Sequence, residues 1–316
     1  MAGTEFKVFS GSANRPLATK IANKLGMQLG ILELKRFSDG EIWAKYGENI
    51  RGSEVFIIQS TNPPAENLLE LLIMVDAAKR ASAKRITVVI PYFGYSRQDR
   101  KDQPRVSITA KLVANLIAGS GADRVMTMDL HAAQLQGFFD IPFDHLYGSS
   151  IFISVLEDIK ENLVVVSPDV GGIKMARSYA KRLNAGLVVI DKRRPKQNLA
   201  EVVHIIGEVD GKDVLIVDDL IDTAGTFVSA IQALKEKGAQ EIYGAITHPL
   251  LSGPAMERIN NSELRKLFVS DTISLNEEVI NHNKISVVTA SDIFAEAIQR
   301  TFNNESISSL FDVDKG

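Results

Sequence analysis

Short apolar runs rich in β-branched residues alternate with amphipathic stretches along most of this chain, and that alternation limits the fold more than any single motif. The runs are 6–9, 55–58, 86–90, 124–128, 163–166, 187–190, 214–217 and 242–246. Most are apolar throughout rather than alternating with polar residues, as expected of strands buried on both faces. Between them, 68–81, 108–118, 173–183 and 227–237 space their apolar residues at helical intervals. Alternation of this kind predicts an α/β chain whose parallel sheets carry helices on their faces.

The pattern runs twice. In the first half the strand 85–90 leads through a polar loop, 91–105, into a helix; in the second, 214–217 leads through 218–226 into another. At 316 residues the chain exceeds the roughly 100–200 residues of one typical domain, so two similar domains are expected, divided near 146–150. Boundaries of 1–147 and 148–303 follow, with a polar tail, 304–316, that packs on the first domain or lies loose.

Charge and composition then remove whole classes of function. A formal net charge of -3 offers no basic field for a nucleic acid, so an anionic ligand must be held locally. The absence of cysteine excludes disulfides, thiolate metal sites and a thiol nucleophile, and suits the cytosol. No signal peptide and no membrane span are expected: the longest apolar run, 68–75, is interrupted by Glu70.

The segment Val214–Thr226, VLIVDDLIDTAGT, is the most informative stretch. A buried strand delivers two adjacent acids, Asp218 and Asp219, and then the small polar sequence Asp222, Thr223, Ala224, Gly225 and Thr226 opens a helix. Backbone amides at a helix N-terminus cradle phosphate, and two threonine hydroxyls add donors. Carboxylates at the carboxyl end of a strand accept hydrogen bonds from vicinal hydroxyls, so acids followed by a phosphate cradle suit a phosphorylated sugar. Asp222 alone would read as a helix cap, and the acids alone as a solvated turn. The ordered set after a buried strand favours the ligand site, because neighbouring carboxylates repel unless something compensates them.

This segment resembles the signature of the phosphoribosyltransferase family, which binds 5-phosphoribosyl 1-diphosphate. Further stretches are similar to the ribose-phosphate pyrophosphokinase family over nearly the whole chain: 37–41 (FSDGE), 92–99 (YFGYSRQD), 129–132 (DLHA), 136–140 (QGFFD), 167–169 (SPD), 191–195 (DKRRP) and 251–254 (LSGP). The resemblance implies two phosphoribosyltransferase-like domains, ATP on the first, ribose 5-phosphate on the second, and chemistry at their junction. It implies transfer of the β,γ-diphosphate of ATP to the anomeric hydroxyl of ribose 5-phosphate, with release of AMP and a requirement for Mg2+. Such a reaction calls for metal, cations and placement rather than a protein nucleophile.

Residue by residue, the resemblance assigns Lys192 and Arg194 to a catalytic flap, with Arg194 also touching the sugar phosphate. Phe37, Asp39, Gly40 and Glu41 fall to the nucleobase end of ATP, and Arg97 and Gln98 to its base or phosphates. His131 is matched to a metal-site histidine that ligates Mg2+ or meets the ATP phosphates, and Asp169 to the accompanying carboxylate. Residues 38–41 also read as a hairpin turn, which is compatible with that role. No GxxxxGK[ST] loop is present, so the triphosphate must be held in another way.

The resemblance also implies a homo-oligomer, commonly a hexamer built of dimers with shared active sites, and a second site where phosphate activates and ADP inhibits. Arg51, Arg105, Ser306, Ser308 and Phe311 match that site. Two other readings compete: a transferase that consumes the diphosphate, and a non-catalytic regulatory subunit.

Overall fold

The computed structural model describes residues 6–159, 162–193 and 202–310, and within these the chain forms two compact units. The first comprises 6–147, 272–274 and 289–310, and the second 148–271 and 275–288.

In chain order the first unit contains β1 (Phe6–Ser10), α1 (Arg15–Lys24), β2 (Leu32–Arg36), β3 (Ile42–Tyr46), β4 (Glu54–Ile58), α2 (Glu66–Arg80), β5 (Arg85–Ile90), α3 (Thr109–Ser120), β6 (Arg124–Met128) and β7 (Phe143–Leu146). Its five-stranded sheet runs β1-β4-β5-β6-β7 with every neighbour parallel, while β2 and β3 form a separate antiparallel hairpin. Strand side chains alternate between faces, and both faces are apolar here. Val55, Ile57, Val88 and Ile90 pack with Leu71, Met74 and Val75 of α2 and Val113 and Ile117 of α3. Val8, Phe56, Val89 and Met126, one residue out of step, are buried as well. Full burial of each such side chain contributes about 1.5–3 kcal/mol, which is why these runs carry almost no polar residue.

The second unit holds α4 (Ser149–Leu156), β8 (Leu163–Ser167), α5 (Ile173–Arg182), β9 (Gly186–Arg193), β10 (Val202–Ile206), β11 (Asp213–Ile221), α6 (Gly225–Glu236), β12 (Ile242–Pro249), α7 (Ala255–Asn261), β13 (Lys266–Ser270), α8 (Glu277–Ile280) and β14 (Ile285–Val288). The seven strands lie in the order β10-β9-β8-β11-β12-β13-β14, parallel except for β10 against β9. Strand β11 shows how both faces are covered. Val214 and Ile216 join the core with Phe227, Ala230 and Leu234 of α6, and Leu215 and Val217 join Phe152 and Tyr179 on the opposite side.

The reach of the second unit differs from the expected 148–303. Helix α9 (Ser291–Asn303) belongs to the first unit, with residues 289–310 around it. Its apolar stripe, Ile293, Phe294, Ala297 and Ile298, is buried. The Phe302 ring lies 4.6 Å from that of Phe6, and the Thr301 carbonyl accepts a hydrogen bond from Arg85 at 3.2 Å. Strand β1 and helix α1, at the other end of the sequence, thus gain their cover from α9.

Candidate functional site

From β8 the second sheet extends one way through β9 to β10, and from β11 the other way through β12 to β14. At such a reversal of strand order a crevice opens beyond the carboxyl ends of the strands, where ligands of open α/β sheets bind. Asp169 follows β8 at this point. Asp218 and Asp219 lie on β11, which runs on to Ile221 instead of stopping at the expected Val217. The extension has a local cause: pairing with β8 ends at Ile216, whereas β12 keeps its register with β11 as far as Pro249. The two acids therefore stand on a strand whose β8 side is open.

Asp219 is 8% exposed and Asp218 is half-buried. Burial, then the adjacent charge of Asp219, then Asp169, push the Asp218 carboxyl well above the usual carboxylate range. One backbone contact acts against this: Asp218 Oδ1 accepts the Asp219 N–H at 3.0 Å. Three acids converging on a partly dry crevice need hydroxyl donors or a countercharge to stay ionised.

Downstream, Ala224 caps α6 in the left-handed region, at φ 58 and ψ 5. That conformation costs an alanine roughly 1–2 kcal/mol, and strain of this sort clusters at ligand clamps. A left-handed residue followed by the right-handed Gly225 brings successive N–H groups into one concavity, an anion-binding nest. The N–H groups of Thr223 and Ala224 make no hydrogen bond among the described residues. Ala224 gives α6 no side-chain cap, and no acid occupies its first turn. A guanidinium stands here too, since Arg258 donates to the Thr223 carbonyl at 2.8 Å.

In the first unit an open cavity of about 560 Å³ is lined by Arg97, Gln98, Asp99, Arg100, Asp102, Val106, Ser107 and His131. It brings together three residues singled out from the sequence, Arg97, Gln98 and His131, because the loops after β5 and β6 leave neighbouring parallel strands on the same side. Gln98 is oriented by a hydroxyl chain. Thr109 donates to Gln98 Oε1 at 2.5 Å, so Ser107, 2.7 Å from Thr109, must be the donor in its own bond. The Gln98 amide nitrogen is left as a donor for the cavity. His131 is exposed, and the loop before it is braced from β7, where buried His145 accepts the Leu130 N–H at Nε2, 3.0 Å away.

Phe37, Asp39, Gly40 and Glu41 form the tip of the β2–β3 hairpin, outside the residues that line this cavity. The Phe37 N–H bonds the Glu41 carbonyl at 2.9 Å, Asp39 Oδ1 accepts the Glu41 N–H at 3.1 Å, and Gly40 takes φ 97, which a side chain would resist. Phe37 is 57% exposed. Lys192 lies on β9, its backbone opposite Val203; its side chain, with Arg194 and Phe311, falls outside what is described. Arg51, Arg105, Ser306 and Ser308 are all exposed in the first unit. No hydrogen bond or ion pair among the described residues joins either arginine to either serine. The Ser107–Thr109 chain, Arg100, His145 and Arg258 went unread in the sequence; only for Arg258 was there a pointer, the motif 251–254 just before it.

The family model for the N-terminal domain of ribose phosphate pyrophosphokinase matches residues 6–121, and that for a phosphoribosyl synthetase-associated domain matches 192–312. A ribose-phosphate pyrophosphokinase of Chlorobaculum tepidum is 60% identical over 98% of this chain and 96% of its own length. One from Thermosipho africanus is 55% identical over 98% of this chain and 99% of its own. The crystal structure of phosphoribosylpyrophosphate synthetase from Mycobacterium smegmatis superposes with a TM-score of 0.90 at 36% identity, covering 95% of this chain and 100% of that one.

Proposed function

The chain belongs to the ribose-phosphate pyrophosphokinase family, and on that premise we propose how its own residues divide the work. The enzyme transfers the β,γ-diphosphate of ATP to the 1-hydroxyl of ribose 5-phosphate, giving 5-phosphoribosyl 1-diphosphate and AMP for nucleotide biosynthesis. The observation that carries the assignment of the sugar site is the conjunction on β11 and α6: adjacent, largely buried carboxylates at a switch point, then a nest whose Thr223 and Ala224 N–H groups make no hydrogen bond among the described residues. In this reading the second unit takes ribose 5-phosphate. Asp218 and Asp219 accept hydrogen bonds from the ring hydroxyls, and Asp222, Thr223, Ala224, Gly225 and Thr226 receive the 5-phosphate.

The first unit takes ATP. Arg97 and Gln98 meet its phosphates or base from the cavity wall, and Phe37, Asp39, Gly40 and Glu41 serve the nucleobase end. Lys192 and Arg194 are assigned from sequence to the charge that develops as the sugar oxygen displaces AMP from the β-phosphorus.

Metal-dependent catalysis accords with this family; we assign the ion as Mg2+ and name Asp169 and His131, from the sequence, as its candidate ligands. Asp169 suits a metal ligand, being exposed, with Oδ1 accepting the Gly172 N–H at 2.9 Å and Oδ2 without a partner among the described residues. Among the described residues no group of three or more His, Asp or Glu side chains is placed to hold a metal ion by itself, and Mg2+ ordinarily keeps several waters and takes further oxygens from substrate phosphates. When bound, it would neutralise triphosphate charge.

A homo-oligomer, with a hexamer as the form to test, and control by phosphate and ADP through Arg51, Arg105, Ser306, Ser308 and Phe311 complete the proposal. No helix among the described residues is long and apolar enough to cross a membrane; we place the enzyme in the cytosol with its substrates. Incubation with Mg-ATP and ribose 5-phosphate, with and without inorganic phosphate, should yield AMP and the 1-diphosphate in equal amounts. Release of ADP or of inorganic phosphate instead would reject the assignment.

A further inference from the structure

The motif 251–254 has no part in the division of work above, yet the structure sets it and α7 directly behind the sugar-phosphate loop. Three consecutive carbonyls of that loop are held from this side. The Ile221 carbonyl accepts the N–H groups of Leu250 and Leu251 at 3.0 and 3.1 Å, and the Asp222 carbonyl accepts that of Ser252 at 2.9 Å. The third, Thr223, has no backbone donor opposite it; Nη1 of Arg258 takes that place at 2.8 Å. Leu251 adopts φ 50 to make the turn, a left-handed strain that a bulky residue tolerates only where its surroundings enforce it.

In a planar trans peptide a carbonyl and the following N–H point in opposite directions. Tying the carbonyls of Asp222 and Thr223 to the 250–258 side therefore turns the N–H groups of Thr223 and Ala224 the other way, and these are the two left without partners. The guanidinium also comes close to the helix start: a Cβ on Gly225 would stand 3.2 Å from Arg258 Nη1. A cation at the positive end of α6 gains nothing from the helix dipole, and no acid in the first turn offsets it. Both facts make sense once an anion occupies the nest.

We propose that Arg258 is a positioning residue for ribose 5-phosphate, acting through the Thr223 carbonyl to aim the loop's N–H groups at the 5-phosphate. This rests on the reading of 222–226 as the phosphate cradle. Loss of the contact frees the 223–224 peptide to rotate, and the nest is no longer formed in advance.

The test measures ribose 5-phosphate and ATP binding to the full-length protein by calorimetry, alongside steady-state kinetics. Arg258→Met is expected to weaken ribose 5-phosphate by about 10- to 100-fold, the scale of one hydrogen bond from a charged donor. ATP affinity should stay within about twofold, and KM for the sugar phosphate should rise more than kcat falls. Arg258→Lys, which keeps a charged donor, should recover most of the affinity. Arg258→Gln replaces the methionine variant if that one does not fold. Unchanged sugar-phosphate affinity, or equal weakening of both substrates, would overturn the proposal. Thr226→Val separates the two layers of the argument. If it weakens ribose 5-phosphate and Arg258→Met does not, the brace is wrong and the cradle stands. If neither variant weakens binding, the cradle falls with it.

Discussion

Burial beside Asp219, with Asp169 nearby, makes Asp218 costly to ionise in the folded protein, and this residue ties stability to function. Its folded pKa lies above its unfolded value, so between the two the native state holds the extra proton. The stabilising contribution is then complete below the unfolded pKa and is lost as pH rises through the folded one. At neutral pH the ligand-free protein bears that loss, a common feature of sites kept for binding rather than stability. Asp218→Asn should raise the melting temperature of the ligand-free protein at pH 7, by about 2–4 °C for each ~1 kcal/mol recovered. It should also flatten the pH dependence of stability above the ordinary carboxylate range and weaken ribose 5-phosphate at least about tenfold. Scanning calorimetry with and without the sugar phosphate checks both; a melting temperature no higher than wild type would contradict the electrostatic account. In the first unit the direction of the Ser107–Thr109–Gln98 chain makes a second prediction. Thr109→Val removes the donor that fixes Gln98 and should raise KM for ATP roughly three- to tenfold, as for one neutral hydrogen bond. Thr109→Ser should not. Equal KM values for the two variants would show that the amide needs no such support.

Among the elements, eight strands announce themselves in the sequence because runs such as Glu54–Ile58, buried at all five positions, leave no other use for consecutive β-branched residues. The helices 66–80, 109–120, 173–182 and 225–236 are equally legible from their apolar stripes. Strands β7, β13 and β14 are not. FDHL, KLFVS and ISVV are short, and their extended form comes from the neighbour each pairs with rather than from composition. The last four residues of β11 are hidden for the same reason, since acids there look like a loop until β12 is seen to continue beside them. Site residues follow the same division. Those within one strand-loop-helix unit, Asp218 to Thr226, could be read from order alone, whereas Arg258 and His145 act across a sheet or a turn and carry no local mark. Gly94 shows an element constrained at one atom. It opens the loop after β5, and a Cβ there would meet the Thr61 carbonyl oxygen at 2.0 Å. Gly94→Ala must shift backbone, at about 1–3 kcal/mol, and should raise KM for ATP by moving Arg97 and Gln98. Unaltered stability and KM would mean that the loop yields more easily than its packing indicates.

For the whole molecule, the assignment of α9 to the first unit means that a helix at 291–303 completes the packing that β1 and α1 begin. The helix buries Ile293, Phe294, Ala295, Ala297 and Ile298, and Lys24 of α1 reaches Asp292 at 2.6 Å. The exposed ion pair contributes little; the apolar stripe decides the matter. Three large side chains at about 1.5–3 kcal/mol each amount to a large share of the roughly 5–15 kcal/mol by which a domain is stable. Ending the chain after Val288 should therefore unfold the first unit and spare the second, although the deleted residues directly follow the second unit in sequence. Hydrogen exchange read by mass spectrometry distinguishes the alternatives. Protection should be lost across 6–147 and retained in β8, β11 and β12, with ribose 5-phosphate still bound and ATP no longer bound. Retained protection in β1 and β4, or loss confined to β13 and β14, would show that α9 is dispensable to the first unit. Loss of protection in that pattern would mean that folding of the ATP-binding half waits on α9, and that the half that binds ribose 5-phosphate can be complete before α9 is made.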